Sequence, residues 1–320
     1  MAKIDQALQE GWNLWRRITG CVGVATGHKE TAGADTGGEA VVFFVREKLP
    51  LALVRRPVPL RVGGVQTDVV ATGRIEALRE TNVAPTVRSV NTKRMRPAQC
   101  GCSIGHPKVT AGTLGAIVAC KGTPYILSNC HVIANSGDAS IGDPIIQPGR
   151  YDGGNVTRDV IGHLQRWAPI KYNARVSWLS WLWRWFGHVN PENEVDAAIA
   201  AMRTGHAVGL IVGQGPQPRE ICTPCVGMGV QKVGRTTGHT RGRIKYLRAT
   251  IDVGYGGGRI ATFRNQIVSN VPSAGGDSGS HVYTTDRPTR SVGLLFAGGR
   301  DTTIINPMAR VCELLRVSFP

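Results

Sequence analysis

The sequence contains no run approaching the roughly 18 consecutive apolar residues that a membrane-crossing helix needs. Its first residues suit an export signal no better, because Asp5, Glu10 and Asn13 break up any apolar stretch after Met1. Together these absences lead to the expectation of a soluble chain that stays in the cytoplasm. Cysteine is scarce as well: eight in 320 residues, at positions 21, 100, 102, 120, 130, 222, 225 and 312. Without an export signal these are expected as reduced thiols. Cys100-Gly101-Cys102 and Cys222-Thr223-Pro224-Cys225 offer four thiolates between them, but C-x-C is a poor zinc knuckle and the two pairs lie far apart without flanking histidines. Neither a metal nor a cofactor is expected.

Acidic residues are also in short supply, 22 against 38 Lys and Arg, for a formal net charge of +16. The excess is spread out: 15 basic against 9 acidic residues over positions 1–99, and 23 against 13 beyond. Short clusters occur at Arg55-Arg56, Lys93-Arg94-Met95-Arg96 and Arg241-Gly242-Arg243, but no long basic block and no helix-turn-helix or aromatic RNA platform accompanies them. Weak nonspecific affinity for polyanions and a preference for acidic protein partners account for the charge equally well.

What is present is apolar content of 42%, enough for more than one core. Ile4, Leu8, Trp12 and Trp15 recur at helical spacing, which predicts a helix over residues 3–17 ended by Gly20. Strands are expected over 23–28 and 40–46, joined by a turn at 31–38, with a third over 60–70 broken by Gly63-Gly64. Residues 1–80 are therefore read as a small α+β domain and 81–109 as a basic linker. From position 110 to 320 many short strands separated by Gly, Pro and Asn turns indicate an all-β double barrel, with a closing helix at 308–315. Five of the seven tryptophans, Trp167, Trp178, Trp181, Trp183 and Trp185, fall within 19 residues. Such a cluster serves as a surface for a partner or a second copy of the chain, packs back on the barrel, or touches a membrane interface.

Gly276-Asp277-Ser278-Gly279-Ser280 lies between two strand-like runs. Glycines allow a tight fold around an exposed hydroxyl, and the N–H groups of Gly276 and Ser278 can converge on an oxyanion. The same pentapeptide is also ordinary turn composition. Upstream, Ser128-Asn129-Cys130-His131 ends an apolar strand, and Glu194-Val195-Asp196 leads into Ala197-Ala198-Ile199-Ala200. Taken singly, His131 reads as a core histidine and Asp196 as a strand-entry cap. Taken together, the order His131, Asp196, Ser278 is that of one class of triad hydrolase and not of the others.

On these motifs, with Leu114-Gly115-Ala116-Ile117-Val118 and Val233-Gly234-Arg235-Thr236-Thr237-Gly238-His239-Thr240-Arg241-Gly242, residues 110–315 resemble trypsin-like serine proteases of the chymotrypsin superfamily, and within it the plant narrow-leaf proteins and their bacterial relatives. The resemblance implies a mainly β, chymotrypsin-like double β-barrel, here preceded by the small α+β domain. It further implies a serine endopeptidase with catalytic His131, Asp196 and Ser278, an oxyanion hole of Gly276 and Ser278, and a peptide-pairing groove edged by Ala297, Gly298 and Gly299. Glu194 is the rival acid. Asn270-Val271-Pro272-Ser273 would form the base of the primary pocket, where the absence of a carboxylate favours small or apolar substrate residues. Asp301 is the residue able to reverse that preference. The chain departs from familiar trypsins in two respects: the usual active-site disulfides are missing, and no Ile-Val-Gly-Gly start supplies an amine for Asp277. The alternative reading is a catalytically idle protease-fold scaffold that binds proteins or polyanions.

Overall fold

The computed structural model describes residues 3–78, 91–173 and 191–320. Helix α1 (Lys3–Leu14) continues into one 3₁₀ turn, Trp15–Arg17, and packs its apolar face on the first strands. Strands β1 (Cys21–Thr31) and β2 (Ala34–Val45) form a hairpin. Its turn is Ala32-Gly33, with φ of 50° and 81°, and this left-handed two-residue connection carries the strands further than the expected turn at 31–38. Strand β3 (Val65–Ala71) lies parallel to β2. Ile4, Ala7, Trp15, Val24, Val41 and Phe43 fill the space between helix and sheet. The two-residue strand β4 (Glu76–Ala77) follows.

A first β unit consists of β5 (Ala116–Cys120), β6 (Thr123–Ser128), β7 (Pro144–Ile146), β8 (Val160–Trp167) and β9 (Ala198–Met202), in the order β7-β8-β9-β6-β5. A hairpin turn at Lys121-Gly122 joins β5 to β6. Residues 91–109, expected as linker, contribute Ala98, Cys100, Cys102 and Ile104 to this unit's core, beside Leu114, Ile126 and Ile161. The whole stretch from Cys100 to His106 is buried, which makes these residues part of the packing.

Strands β10 (Gly229–Gly234), β11 (Gly238–Gly254), β12 (Ile260–Ser269), β13 (His281–Thr284), β14 (Ser291–Gly299) and β15 (Thr302–Pro307) make the second unit. Their pairing runs β12-β15-β14-β13-β10-β11 and returns from β11 to β12, so the sheet closes into an antiparallel barrel without free edges. Val230, Ile244, Ile267, Val282, Leu295 and Ile305 pack together in it. The long strand β11 also pairs with β1, Gly23 opposite Ile251 and Gly27 opposite Tyr246. The amino-terminal strands are therefore an outward continuation of the barrel's own sheet. Helix α3 (Met308–Leu315) packs Met308, Val311 and Leu315 on Ala116, Val118 and Leu127 of the first unit. The Trp-rich stretch 178–186 lies outside the described residues.

Candidate active site

A single turn, helix α2 (Cys130–Ile133), follows β6 and presents His131 at the junction of the two β units. Cys130, its neighbour, is fully buried, as expected for a core residue. Asp196 stands just before β9, whose pairing with β6 brings it level with the helix, Ser128 opposite Ala198. His131 Nδ1 lies 2.6 Å from Asp196 Oδ2, and the His131 N–H donates to Oδ1 at 3.2 Å. The Tyr255 hydroxyl donates to the same Oδ2 at 2.7 Å. Asn306 holds the backbone of Asp196 on both sides, accepting its N–H at 3.1 Å and donating to its carbonyl at 3.2 Å. Asn129 adds a second donor to that carbonyl at 2.7 Å.

Asp196 is fully buried. Burial alone would raise its carboxyl, but the charge of His131 and the hydrogen bonds from His131 and Tyr255 outweigh it and hold the group below the usual carboxylate range. Tyr255 is pushed well above the ordinary phenol value by burial first and by the Asp196 charge second, so it remains a donor. Glu194, the rival acid, is engaged elsewhere: Arg310 clamps it with bonds of 2.6 and 2.8 Å.

Ser278 sits in the turn before β13. Gly276 and Gly279 have φ of 92° and 93°, and a Cβ on Gly279 would stand 2.3 Å from both Ser128 Oγ and the Thr113 carbonyl. Only glycine can occupy that position. The Ser278 hydroxyl donates to the Phe296 carbonyl at 3.1 Å, and His131 Nε2 is buried with no hydrogen-bond partner among the described residues. All three side chains are covered, with relative exposures of 0% for Ser278, 1% for His131 and 0% for Asp196.

Asp277 is paired with Lys232 on β10. Its Oδ2 lies 3.1 Å from Lys232 Nζ, and both side chains are wholly buried. The Thr236 and Thr237 N–H groups donate to Oδ1 at 2.9 and 3.1 Å, and the Ala274 N–H to Oδ2 at 3.0 Å. Burial lowers the Lys232 ammonium and the Asp277 charge opposes that shift. Farther out, Arg235 makes a two-pronged pair with Asp152 at 2.8 and 2.5 Å, while its N–H donates to Thr113 Oγ1 at 3.0 Å. Thr113 in turn donates to the Gly276 carbonyl at 2.8 Å, which ties the serine turn to the first β unit.

The expected groove edge carries a peptide, and that peptide belongs to the chain itself. Strand β4 lies antiparallel to β14, Ala77 opposite Ala297 and Glu76 opposite Gly298. The Leu78 N–H donates to the Phe296 carbonyl at 3.2 Å, and the Leu78 carbonyl accepts the Gly276 N–H at 3.0 Å. Gly299 lies so near the chain at 72 that a Cβ would stand 2.4 Å from the Thr72 carbonyl. The Ser278 N–H, the second expected oxyanion donor, makes no hydrogen bond within the described residues. Pro272 is exposed, its carbonyl taking the Thr240 hydroxyl at 2.8 Å, while neighbouring Val271 belongs to the apolar cluster that receives Leu78. Asp301 is exposed in the turn between β14 and β15. Lys232, Tyr255 and Leu78 were not singled out from the sequence. The one signal was for Lys232, a lone ammonium in the otherwise uncharged strand Val230-Gln231-Lys232-Val233.

No family model matches the sequence, and no curated protein does. Among solved structures, the chain is similar to Protease A of Thermobifida fusca at 15% identity, covering 69% of this chain and 98% of that one, with a TM-score of 0.46. It is similar to a chymotrypsin of Cellulomonas bogoriensis at 16% identity, over 70% and 98%, with a TM-score of 0.45. A glutamic-acid-specific serine protease aligns at 17% identity, over 70% and 100%, with a TM-score of 0.47.

Proposed function

We propose that the chain is a serine endopeptidase. The observation that carries this reading is the 2.6 Å pairing of His131 Nδ1 with a buried carboxylate beside a glycine-framed serine turn whose Gly276 N–H already holds a peptide carbonyl. Asp196 keeps the Nδ1 proton in place and leaves Nε2 as the acceptor. Rotation of Ser278 about its Cα–Cβ bond moves the hydroxyl from the Phe296 carbonyl toward Nε2, which takes its proton as Oγ attacks the substrate carbonyl. The tetrahedral oxygen is stabilised by the Gly276 and Ser278 N–H groups. His131 then protonates the leaving amine, and water hydrolyses the acyl-enzyme. Small or apolar residues are preferred on the acyl side, in line with the carboxylate-free sequence around Val271. Its motifs resemble those of the narrow-leaf proteins, with peptides as substrates and with weak polyanion binding and self-association as further expectations from charge and tryptophan content.

One observation favours the idle-scaffold alternative: the Ser278 hydroxyl bonds to the Phe296 carbonyl and not to His131. Serine–histidine pairs are often loose outside the reacting complex and tighten only as the transition state forms. Cleavage of a peptide library separates the two readings. Ser278→Ala should lose on the order of a million-fold in turnover with its thermal transition unchanged; undiminished cleavage by that variant would remove the assignment.

A further inference from the structure

The groove is filled by residues 75–78, and their contacts are those a substrate makes. Three independent features of Leu78 point the same way. Its backbone, with those of Glu76 and Ala77, continues the sheet antiparallel to β14, the mode by which an extended peptide docks on an open strand edge. Its carbonyl oxygen accepts the N–H of Gly276 at 3.0 Å, the donor that would meet a developing oxyanion. Its side chain packs against the apolar cluster that includes Val271 and Leu295, and a Cβ on Gly298 would come within 3.3 Å of a Leu78 methyl carbon, so the glycine leaves room for that side chain. On the other side of β4, the Gly254 N–H donates to the Ile75 carbonyl at 2.9 Å, which fixes the register.

We infer that the chain cleaves itself after Leu78, at the Leu78–Arg79 peptide bond. This deepens the peptidase reading and rests on it. Ser278 Oγ forms the new ester bond to the Leu78 carbonyl carbon and passes its proton to His131 Nε2. Collapse of the tetrahedral species breaks the bond to the Arg79 nitrogen, which receives that proton. A water molecule then attacks the ester, giving a free carboxylate at Leu78 and restoring the Ser278 hydroxyl. No oxidant, metal or cofactor enters the balance. The piece ending at Leu78 stays attached after the cut, because β1 remains paired with β11 and α1 remains on its sheet, so cleavage is expected to leave a two-piece molecule.

Intact-mass measurement on the purified full-length chain tests this inference. Wild type should convert with time into pieces ending at Leu78 and beginning at Arg79, which co-elute under native conditions. Ser278→Ala should remain whole, as should wild type pre-treated with a fluorophosphonate, a control that does not depend on that variant folding. Leu78→Asp puts a carboxylate into an apolar pocket and should slow the cut by about a hundredfold or more, with fluorophosphonate labelling of Ser278 retained. A wild-type chain that labels at Ser278 and cuts added peptides yet keeps its own bond after Leu78 overturns the inference and spares the peptidase reading. So does cleavage at a different bond, or cleavage after Leu78 that persists in Ser278→Ala. A chain that neither labels nor cuts removes both.

Discussion

Asp196 illustrates how much one buried residue depends on its neighbours: its carboxylate accepts from the His131 N–H and from Tyr255, and pairs with the imidazole. Asp196→Asn should keep this geometry and favour the wrong imidazole tautomer, lowering kcat by roughly ten-thousand-fold. Glu194→Gln, which breaks only the Arg310 clamp, should leave kcat unchanged; the reverse ranking would move the acid two residues. Tyr255→Phe removes a hydrogen bond to a charged group and should lower kcat by roughly ten- to a hundred-fold, with KM unaffected, because Tyr255 acts on the imidazole through Asp196. His281 belongs to stability. It is fully buried, bonded to Ser291 Oγ at 2.7 Å, and its pKa is pushed down by burial to about 3. The folded state therefore keeps His281 neutral where the unfolded chain takes up a proton below its ordinary value near 6.5. This contribution is fully present above that pH and is lost as pH falls toward 3. Between pH 6.5 and 5 it amounts to about 2 kcal/mol, and His281→Leu should flatten the pH dependence of urea unfolding by that amount; an unchanged slope would contradict the burial account.

At the scale of elements, the serine turn is held by β10 through Lys232 and Asp277. Lys232→Met leaves a buried carboxylate without its counterion and should cost about 3–5 kcal/mol, read by denaturant titration. Pairing it with Asp277→Asn should recover part of that loss, and a single variant costing less than about 1 kcal/mol would show that the pair does not hold the turn. The serine turn, the histidine after β6 and the acid before β9 were legible as local motifs, because strand ends and glycine turns announce themselves over a few residues. Lys232, Tyr255 and Leu78 were not, since their roles arise from pairings between strands distant in sequence. Helix α3 is legible in the sequence at the bounds the structure shows. The first hairpin turn is expected too long, at 31–38, because Ala32-Gly33 lacks the usual Asn or Asp.

Across the whole molecule, the amino-terminal segment shares one sheet with the second barrel, and residues 72–78 run from that sheet into the groove. The helix and strands of the amino-terminal segment follow local patterns in the sequence, but their attachment to β11 depends on cross-strand register, which no local pattern encodes. Among the described residues no helix is long and apolar enough to cross a membrane. The central claim is that Ser278 is an activated nucleophile at the junction of the two β units, and fluorophosphonate labelling mapped by mass spectrometry tests it most directly. The account predicts one adduct, on Ser278, that disappears in His131→Ala and forms faster in Leu78→Asp, where the groove is vacated. Absence of an adduct on Ser278 even in Leu78→Asp would contradict it.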